Sequence, residues 1–167
     1  MHDAIVGALA EALSESGVRA RGSFPLSRMD LKDGAVVCVS VRSSVMLSSG
    51  MGDYLGRAVD SQGNDCGELY GLKLELSVGL DIYAPAGRER GAGECLLCYE
   101  HVSRALAELP SGLKMRELRC GEAQPDGITE GYKCPVELLC TAHIVGQTDG
   151  DSGGFLDFIL KGVVKND

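Results

Sequence analysis

A serine and a histidine near the C-terminus have neighbours that suggest nucleophilic chemistry. Ser152 lies in residues 150–154, a Gly-Asp-Ser-Gly-Gly string that also surrounds the nucleophile of chymotrypsin-like proteases. In those enzymes the serine and histidine come from separate barrels, whereas His143 lies only nine positions before Ser152 here and no acid is placed to orient its imidazole. A catalytic triad is defined by geometry, so we interpret residues 150–154 as a turn and predict no catalytic residue.

The same turn carries oxygen ligands that could begin a calcium loop. Asp149, Asp151 and Ser152 have the right chemistry, but the position that supplies the bidentate carboxylate in such loops is Leu160. The preferred interpretation is therefore a solvated turn without a metal ion.

Seven cysteines offer the remaining chemistry, which would be a zinc site or a redox pair. Cys95 and Cys98 form a Cys-x-x-Cys pair, but Cys120, Cys134 and Cys140 supply no second close pair of the kind that zinc sites use. Their spacing places them on apolar faces of predicted elements, where a free thiol packs as a small hydrophobe. We therefore expect reduced thiols, no disulfide, no metal and no cofactor.

Length, composition and charge restrict the class of protein. The chain has 167 residues, of which 44% are hydrophobic and 5% aromatic, which predicts one domain over residues 1–167 with an aliphatic core. A net charge of −8 argues against nucleic-acid binding through phosphate neutralisation. The N-terminal apolar run is interrupted by Glu11, Ser14 and Glu15, so we predict no signal peptide, no membrane span and a cytoplasmic location.

Two long periodic segments form the centre of the predicted fold. Between Leu72 and Ile82, apolar residues occupy every second position, which predicts a strand with one face on a core. Between Gly93 and Leu109, apolar residues recur at intervals of three and four, which predicts an amphipathic helix. Pro110 is expected to end that helix.

The remaining segments predict a mixed, mainly antiparallel sheet with two helices packed on one side, which is an α+β fold. The opening helix is expected to start at a cap formed by Asp3 and to end at Gly17. That opening helix spans 3–16. The further expected elements are strands at 18–24, 35–41, 113–120, 132–144 and 155–164, a connection at 25–34 and a turn at 146–154. The parity of the strand at 113–120 slips near Glu117, which indicates a bulge.

Residues Ser43–Gly67 differ from the rest of the chain. Five glycines and a polar turn predict an extended β-hairpin arm that pairs the region near Tyr54 with the region near Leu69, and Cys66 is expected to be exposed on it. The arm also carries apolar side chains with no evident interior to enter, which we predict lie in a subunit interface. These residues are Met46, Leu47, Met51, Tyr54 and Leu55.

The order of these elements resembles the tail terminator, or tail completion, proteins of long-tailed phages and prophages. The resemblance lies in the opening helix Asp3–Ser16, the strand Leu72–Pro85, the helix Gly93–Leu109, the strand ending at Glu122 and the strand Tyr132–Ala142. It implies a structural protein rather than an enzyme. In this family a homo-oligomeric ring, typically of six subunits, caps the tail tube and joins it to the neck.

The resemblance further implies that the partners are tail tube and neck or connector proteins. It implies no cofactor, no sequence-specific nucleic acid and no membrane, with assembly in the cytoplasm and a final place in the virion. Three alternatives remain. One is another head–tail connector or tail tube subunit, another is a small cysteine-based metal-binding module or enzyme, and the third is a monomeric ligand-binding domain.

Overall fold

A computed structural model gives the fold of residues 1–22, 31–59, 62–87, 91–107, 109, 112–147 and 159–160. Within these ranges, two helices and a mixed, mostly antiparallel sheet confirm the predicted α+β class. In chain order the elements are α1 (His2–Glu15), β1 (Ala20–Arg21), β2 (Val36–Ser48), β3 (Tyr54–Val59), β4 (Asp65–Pro85), α2 (Gly91–Ala105), β5 (Lys114–Cys120), β6 (Gln124–Asp126), β7 (Gly131–Cys134), β8 (Val136–Gln147) and β9 (Ile159–Leu160).

The predicted alternating strand is the centre of the sheet. β4 is 21 residues long and pairs with β2 and β3 along one edge and with β8 and β7 along the other. Its even-numbered residues from Leu74 to Ile82 are at most 3% exposed. Because successive side chains of a strand point to opposite faces, these residues line one buried face, as the alternation predicted.

The strand predicted at 132–144 is two strands. β7 pairs with β4 at Ile82–Pro85, and β8 pairs with it at Leu69–Gly79. The break falls at Pro135, which lies between them. Proline has no N–H to donate to a ladder, so its position at a strand start follows from its chemistry.

Both helices pack on the face of the sheet that carries the even-numbered side chains of β4. α1 contributes Ile5, Leu9 and Leu13 to this core, and α2 contributes Cys95 and Val102. α2 also contacts β4 directly. We call the opposite face, which carries the odd-numbered side chains of β4, the helix-free face.

The ends of the helices differ slightly from the prediction. Asp3 does not cap α1, because the helix begins two residues earlier, with Met1 as the N-cap and no side-chain hydrogen bond. A carboxylate in the first turn is still favourable beside the positive end of the helix dipole. α2 ends at Ala105, before the predicted Leu109. No helix among the described residues is long and apolar enough to cross a membrane.

A second, smaller apolar cluster lies on the helix-free face. Leu31 packs there with Val36, Cys38 and Tyr83. The start of β2 is therefore buried on both faces, because Val37 belongs to the main core. The strand predicted at 35–41 thus corresponds to the start of β2.

The predicted arm is correct only in its second half. β3 and β4 form the expected hairpin, with Tyr54 opposite Tyr70. Ser43–Ser48, however, is not part of an arm: these residues continue β2 and pair with β4. A short 3-10 turn links β2 to β3. In it, the Asp53 carboxylate accepts hydrogen bonds from the Ser48 hydroxyl at 2.6 Å and from the Ser49 amide at 2.9 Å.

Two further expectations concern the later strands. The register between β5 and β8 shifts between Met115 and Glu117, which confirms the bulge predicted near Glu117. Of the final strand predicted at 155–164, only β9 is described, and it pairs with Ile144 and Val145 of β8. Most of the connection at 25–34 and most of the turn at 146–154 lie outside the described residues, as does the end of the strand predicted at 18–24.

We expect Val102→Asp to destabilise the fold by roughly 3 kcal/mol or more, because it places an unpaired charge in the core. Val102 is fully buried, whereas Leu97 on the same helix is 60% exposed, so Leu97→Asp is a matched control that should change stability by less than about 0.5 kcal/mol. Chemical denaturation of the three proteins measures both values. Equal stabilities would show that the helix packs through a different face.

Candidate functional site

The residues that suggested nucleophilic or calcium chemistry are not brought into a site by the described structure. His143 lies on β8 with an exposed side chain, and its parity places it on the helix-free face. Asp149 and residues 150–154 lie outside the described residues.

The cysteines lie mainly in the core, as their spacing predicted. Cys95, Cys134 and Cys140 are at most 1% exposed, while Cys98 and Cys120 are partly buried against the same core. Burial raises the pKa of Cys95, Cys98 and Cys140 to about 11. A thiol with such a pKa is protonated at neutral pH, and the thiolate is the form that attacks or binds metal.

Metal-binding geometry is also missing from the part of the chain that the structure describes. No group of three or more His, Cys, Asp or Glu side chains there could hold a metal ion. The side chain of Cys66, expected to be exposed, is outside the described part of the molecule. The described thiols therefore offer no arrangement suited to metal-dependent chemistry.

A buried ion-pair cluster on the helix-free face was missed by sequence reasoning. The Asp81 side chain is 2% exposed and pairs with the Arg42 guanidinium and, at 3.0 Å, with the Lys133 ammonium. Burial lowers the pKa of Lys133, but hydrogen bonding to Asp81 and the charge of Asp81 outweigh this effect and raise it. The cluster joins β2, β4 and β7 through side chains.

A bulge and a glycine create room for this cluster. The register between β2 and β4 shifts between Val41 and Ser43, so Arg42 is an extra residue in β2. Its side chain crosses over Gly79 to reach Asp81, and a Cβ added at Gly79 would lie 2.6 Å from Arg42 Nε. A bulge commonly redirects a side chain in this way.

The helix-free face also carries several polar side chains that pair with one another. Lys73 donates to Glu75 at 2.6 Å, and this hydrogen bond lowers the pKa of Glu75. Arg119 donates to Glu117 at 2.7 Å, and Ser77 donates to Glu137 at 2.5 Å. A shallow concavity of about 420 Å³ is lined by Glu75, Ser77, Arg116 and Glu117 and by the apolar Val45. Its charged lining residues carry both signs.

At its far end, β2 has no strand partner on the side that faces away from β4, and we call this side the open edge. β1 pairs only with Val37 and Cys38, and no other described strand pairs with the outer side of β2 as far as Ser48. Residues 43–48, Ser-Ser-Val-Met-Leu-Ser, contain no charge and no proline. Native sheets usually protect such edges with lysine, proline or a covering element.

Exposed apolar side chains surround the open edge, and we call them the apolar patch. Met51 is 98% exposed, and the other members are between 38% and 52% exposed. The rings of Tyr54 and Tyr70 meet edge-on with their centroids 5.6 Å apart. The members are Val45, Met46, Leu47, Met51, Tyr54 and Tyr70.

Four of the residues predicted to lie in an interface belong to this patch. Met46, Leu47, Met51 and Tyr54 are exposed, whereas Leu55 is only partly exposed and approaches Gly71. Val45 and Tyr70 were missed. Val45 lies in the same apolar run as Met46, so that run was an available signal, but Tyr70 belongs to the central strand and gave none.

Comparisons with known proteins assign no role to the open edge or to the apolar patch. No protein-family model matches the chain, and no curated protein matches it.

We expect protein purified without a chelator to contain no stoichiometric zinc, because burial keeps the Cys95, Cys98 and Cys140 thiols protonated at neutral pH. Elemental analysis against protein concentration measures the metal content. About one zinc ion per chain, removed by a chelator together with stability, would contradict this and favour the metal-binding alternative.

We expect Arg42→Ala to lower the free energy of unfolding by about 1–3 kcal/mol, because it removes one of the two cations paired with a buried carboxylate. Lys73→Ala is the control, since it removes a pair with Glu75 in which both side chains are at least 30% exposed. That change should cost less than about 1 kcal/mol. Urea unfolding compares the two variants, and equal losses would show that burial of Asp81 adds nothing.

Proposed function

We propose that this chain is a structural subunit that assembles through the open edge and the apolar patch. More specifically, we propose a tail terminator-like ring subunit that caps a phage or prophage tail tube and joins it to the neck. The observation that carries the proposal is the far end of β2. This end is uncharged, has no strand partner on its outer side and exposes apolar side chains on both of its faces.

The backbone of the open edge favours pairing with another chain. An edge strand presents N–H and C=O groups that are a ready template for an incoming strand. Near the start of β2, the short β1 covers the outer side of the strand, and the bulge at Arg42 follows. Residues 43–48 lie beyond the bulge and contain no lysine, no proline and no inward charge. A neighbouring subunit would supply both the backbone partner and the protection that this edge lacks.

The apolar patch adds a hydrophobic contribution to the same contact. Val45 and Leu47 project from one face of β2, while Met46 projects from the other, because the residues alternate across the strand. Burying an exposed aliphatic side chain fully contributes about 1.5–3 kcal/mol. Several half-exposed side chains around one edge therefore offer enough burial for a specific contact.

The sheet has a second, chemically different edge, which favours a ring over a simple dimer. No described strand pairs with the outer side of β5, and that strand carries Lys114, Arg116, Glu117 and Arg119. A contact between two unlike surfaces is heterologous, and it repeats around a rotation axis until a ring closes. Pairing between two copies of the open edge would instead stop at a dimer.

The element order and the overall charge support the same proposal. The described chain runs from a helix through several strands to a second helix and further strands, which is the order that resembles tail terminator proteins. The net charge of −8 suits a channel that DNA passes without being held. Another head–tail connector or tube subunit would use the same surface and is distinguished by which tube end it occupies.

We expect Leu47→Lys and Met46→Lys to weaken self-association at least about tenfold, because each places a charge in the proposed contact. Ile128→Lys is the matched control: Ile128 is 58% exposed and lies between β6 and β7, which pair at the opposite end of β4. Light scattering coupled to size exclusion, at tens of micromolar, measures association. Circular dichroism checks that all variants are folded.

Electron microscopy with purified tail tubes tests the specific role. We expect rings of the wild type and of Ile128→Lys at tube ends, and none with Leu47→Lys. A wild-type protein that stays monomeric and never binds tubes would contradict the terminator proposal. Equal weakening by Ile128→Lys would show that the contact lies elsewhere.

A further inference from the structure

Two thiols distant in the chain lie in contact at one end of the sheet. Cys120 ends β5 and Cys134 ends β7, and their sulfur atoms are 3.3 Å apart. The strands are tied together beside them, because the Gly121 amide donates to the Pro135 carbonyl at 2.8 Å. Among the described cysteines, all of which are free, this is the pair in sulfur–sulfur hydrogen-bond contact.

The break at Pro135 produces this contact. Cys120 is in register with Val136 of β8, so Cys134 is two positions away along the neighbouring backbone. Both sulfur atoms also approach the Gly121 carbonyl oxygen, at 3.5 Å from Cys120 and 3.3 Å from Cys134. The shared acceptor holds the two side chains toward each other.

The two thiols differ in their access to solvent. Cys134 is fully buried, and burial together with its hydrogen bond to Cys120 raises its pKa to about 12. Cys120 is partly exposed at the end of its strand. A small oxidant therefore reaches Cys120 first and finds Cys134 directly behind it.

We propose that Cys120 and Cys134 are a thiol-oxidation site that closes to an intramolecular disulfide when the protein meets a peroxide. In the first step Cys120 Sγ attacks a peroxide oxygen, the O–O bond breaks, and Cys120 becomes a sulfenic acid with release of water. In the second step the protonated Cys134 thiol, already 3.3 Å away, attacks that sulfur, and its proton passes to the departing oxygen as the S–S bond forms and the S–O bond breaks, which releases a second water. Two thiols thus lose two electrons while hydrogen peroxide is reduced to water.

This site is separate from the open edge and the apolar patch, although Cys120 ends β5, the strand that forms the second edge in the proposed ring. The cysteine pair lies where β5 and β7 end, and the apolar patch lies at the other end of β4, where β3 begins. In a reducing compartment the pair remains two thiols, which agrees with the expectation from the sequence. The disulfide forms only after exposure to an oxidant.

Hydrogen peroxide treatment of the folded, full-length protein tests the proposal. After remaining thiols are blocked with N-ethylmaleimide in denaturant, intact mass should show two fewer labelled thiols per chain and the loss of about 2 Da that a disulfide produces. Trypsin cleaves after Arg119 and Lys133, so the peptide of residues 120–133 should appear joined to the peptide that begins at Cys134. Dithiothreitol should separate them.

The second peptide also contains Cys140, so variants are needed to assign the partner. We expect the cross-link to persist in Cys140→Ala, which removes another buried thiol, and to disappear in Cys134→Ala. A cross-link that survives Cys134→Ala would overturn the assignment. A wild-type protein whose Cys120 carries only added oxygen, with no joined peptides, would overturn the proposal even if a variant fails to fold.

Discussion

The backbone of β4 is paired along both of its edges, and the other elements depend on this double pairing. β2 covers one edge from Leu72 to Tyr83, while β8 and β7 divide the other. A buried amide or carbonyl without a partner costs about as much as a lost hydrogen bond, so a long central strand is stable only when both neighbours are present. The pleat of β4 then assigns one parity to the helices and the other to the buried Asp81 cluster.

Periodicity in the sequence was sufficient to predict most of the fold. The alternation along β4, the helical spacing of both helices and the parity slip near Glu117 all correspond to observed elements. These features arise from local patterns of burial, which a single sequence records. The division at Pro135 of the strand predicted at 132–144 into β7 and β8 depends on how both strands pair with β4.

The features that sequence reasoning missed depend on contacts between distant residues. Ser43–Ser48 has no clear alternation of buried and exposed residues, so its pairing with β4 could not be recognised. The Asp81 cluster requires a bulge that brings Arg42 across Gly79, and the cysteine contact requires the turn between β5 and β7. Four of the five predicted interface residues are exposed, because an apolar run next to glycine-rich turns has little interior to enter. The exposure of Tyr70 depends instead on its place near one end of the long central strand.

The bulge at Arg42 affects which insertions and deletions the following segment of β2 can accept. Before the bulge, odd-numbered residues of β2 such as Val39 face the helices. After the bulge, even-numbered residues such as Met46 face them. Because the pleat repeats every two residues, an odd insertion or deletion between the bulge and Ser48 would exchange Met46 and Leu47 across the sheet. A change in the length of this segment in steps of two residues would keep Met46 and Leu47 on their own faces of the sheet.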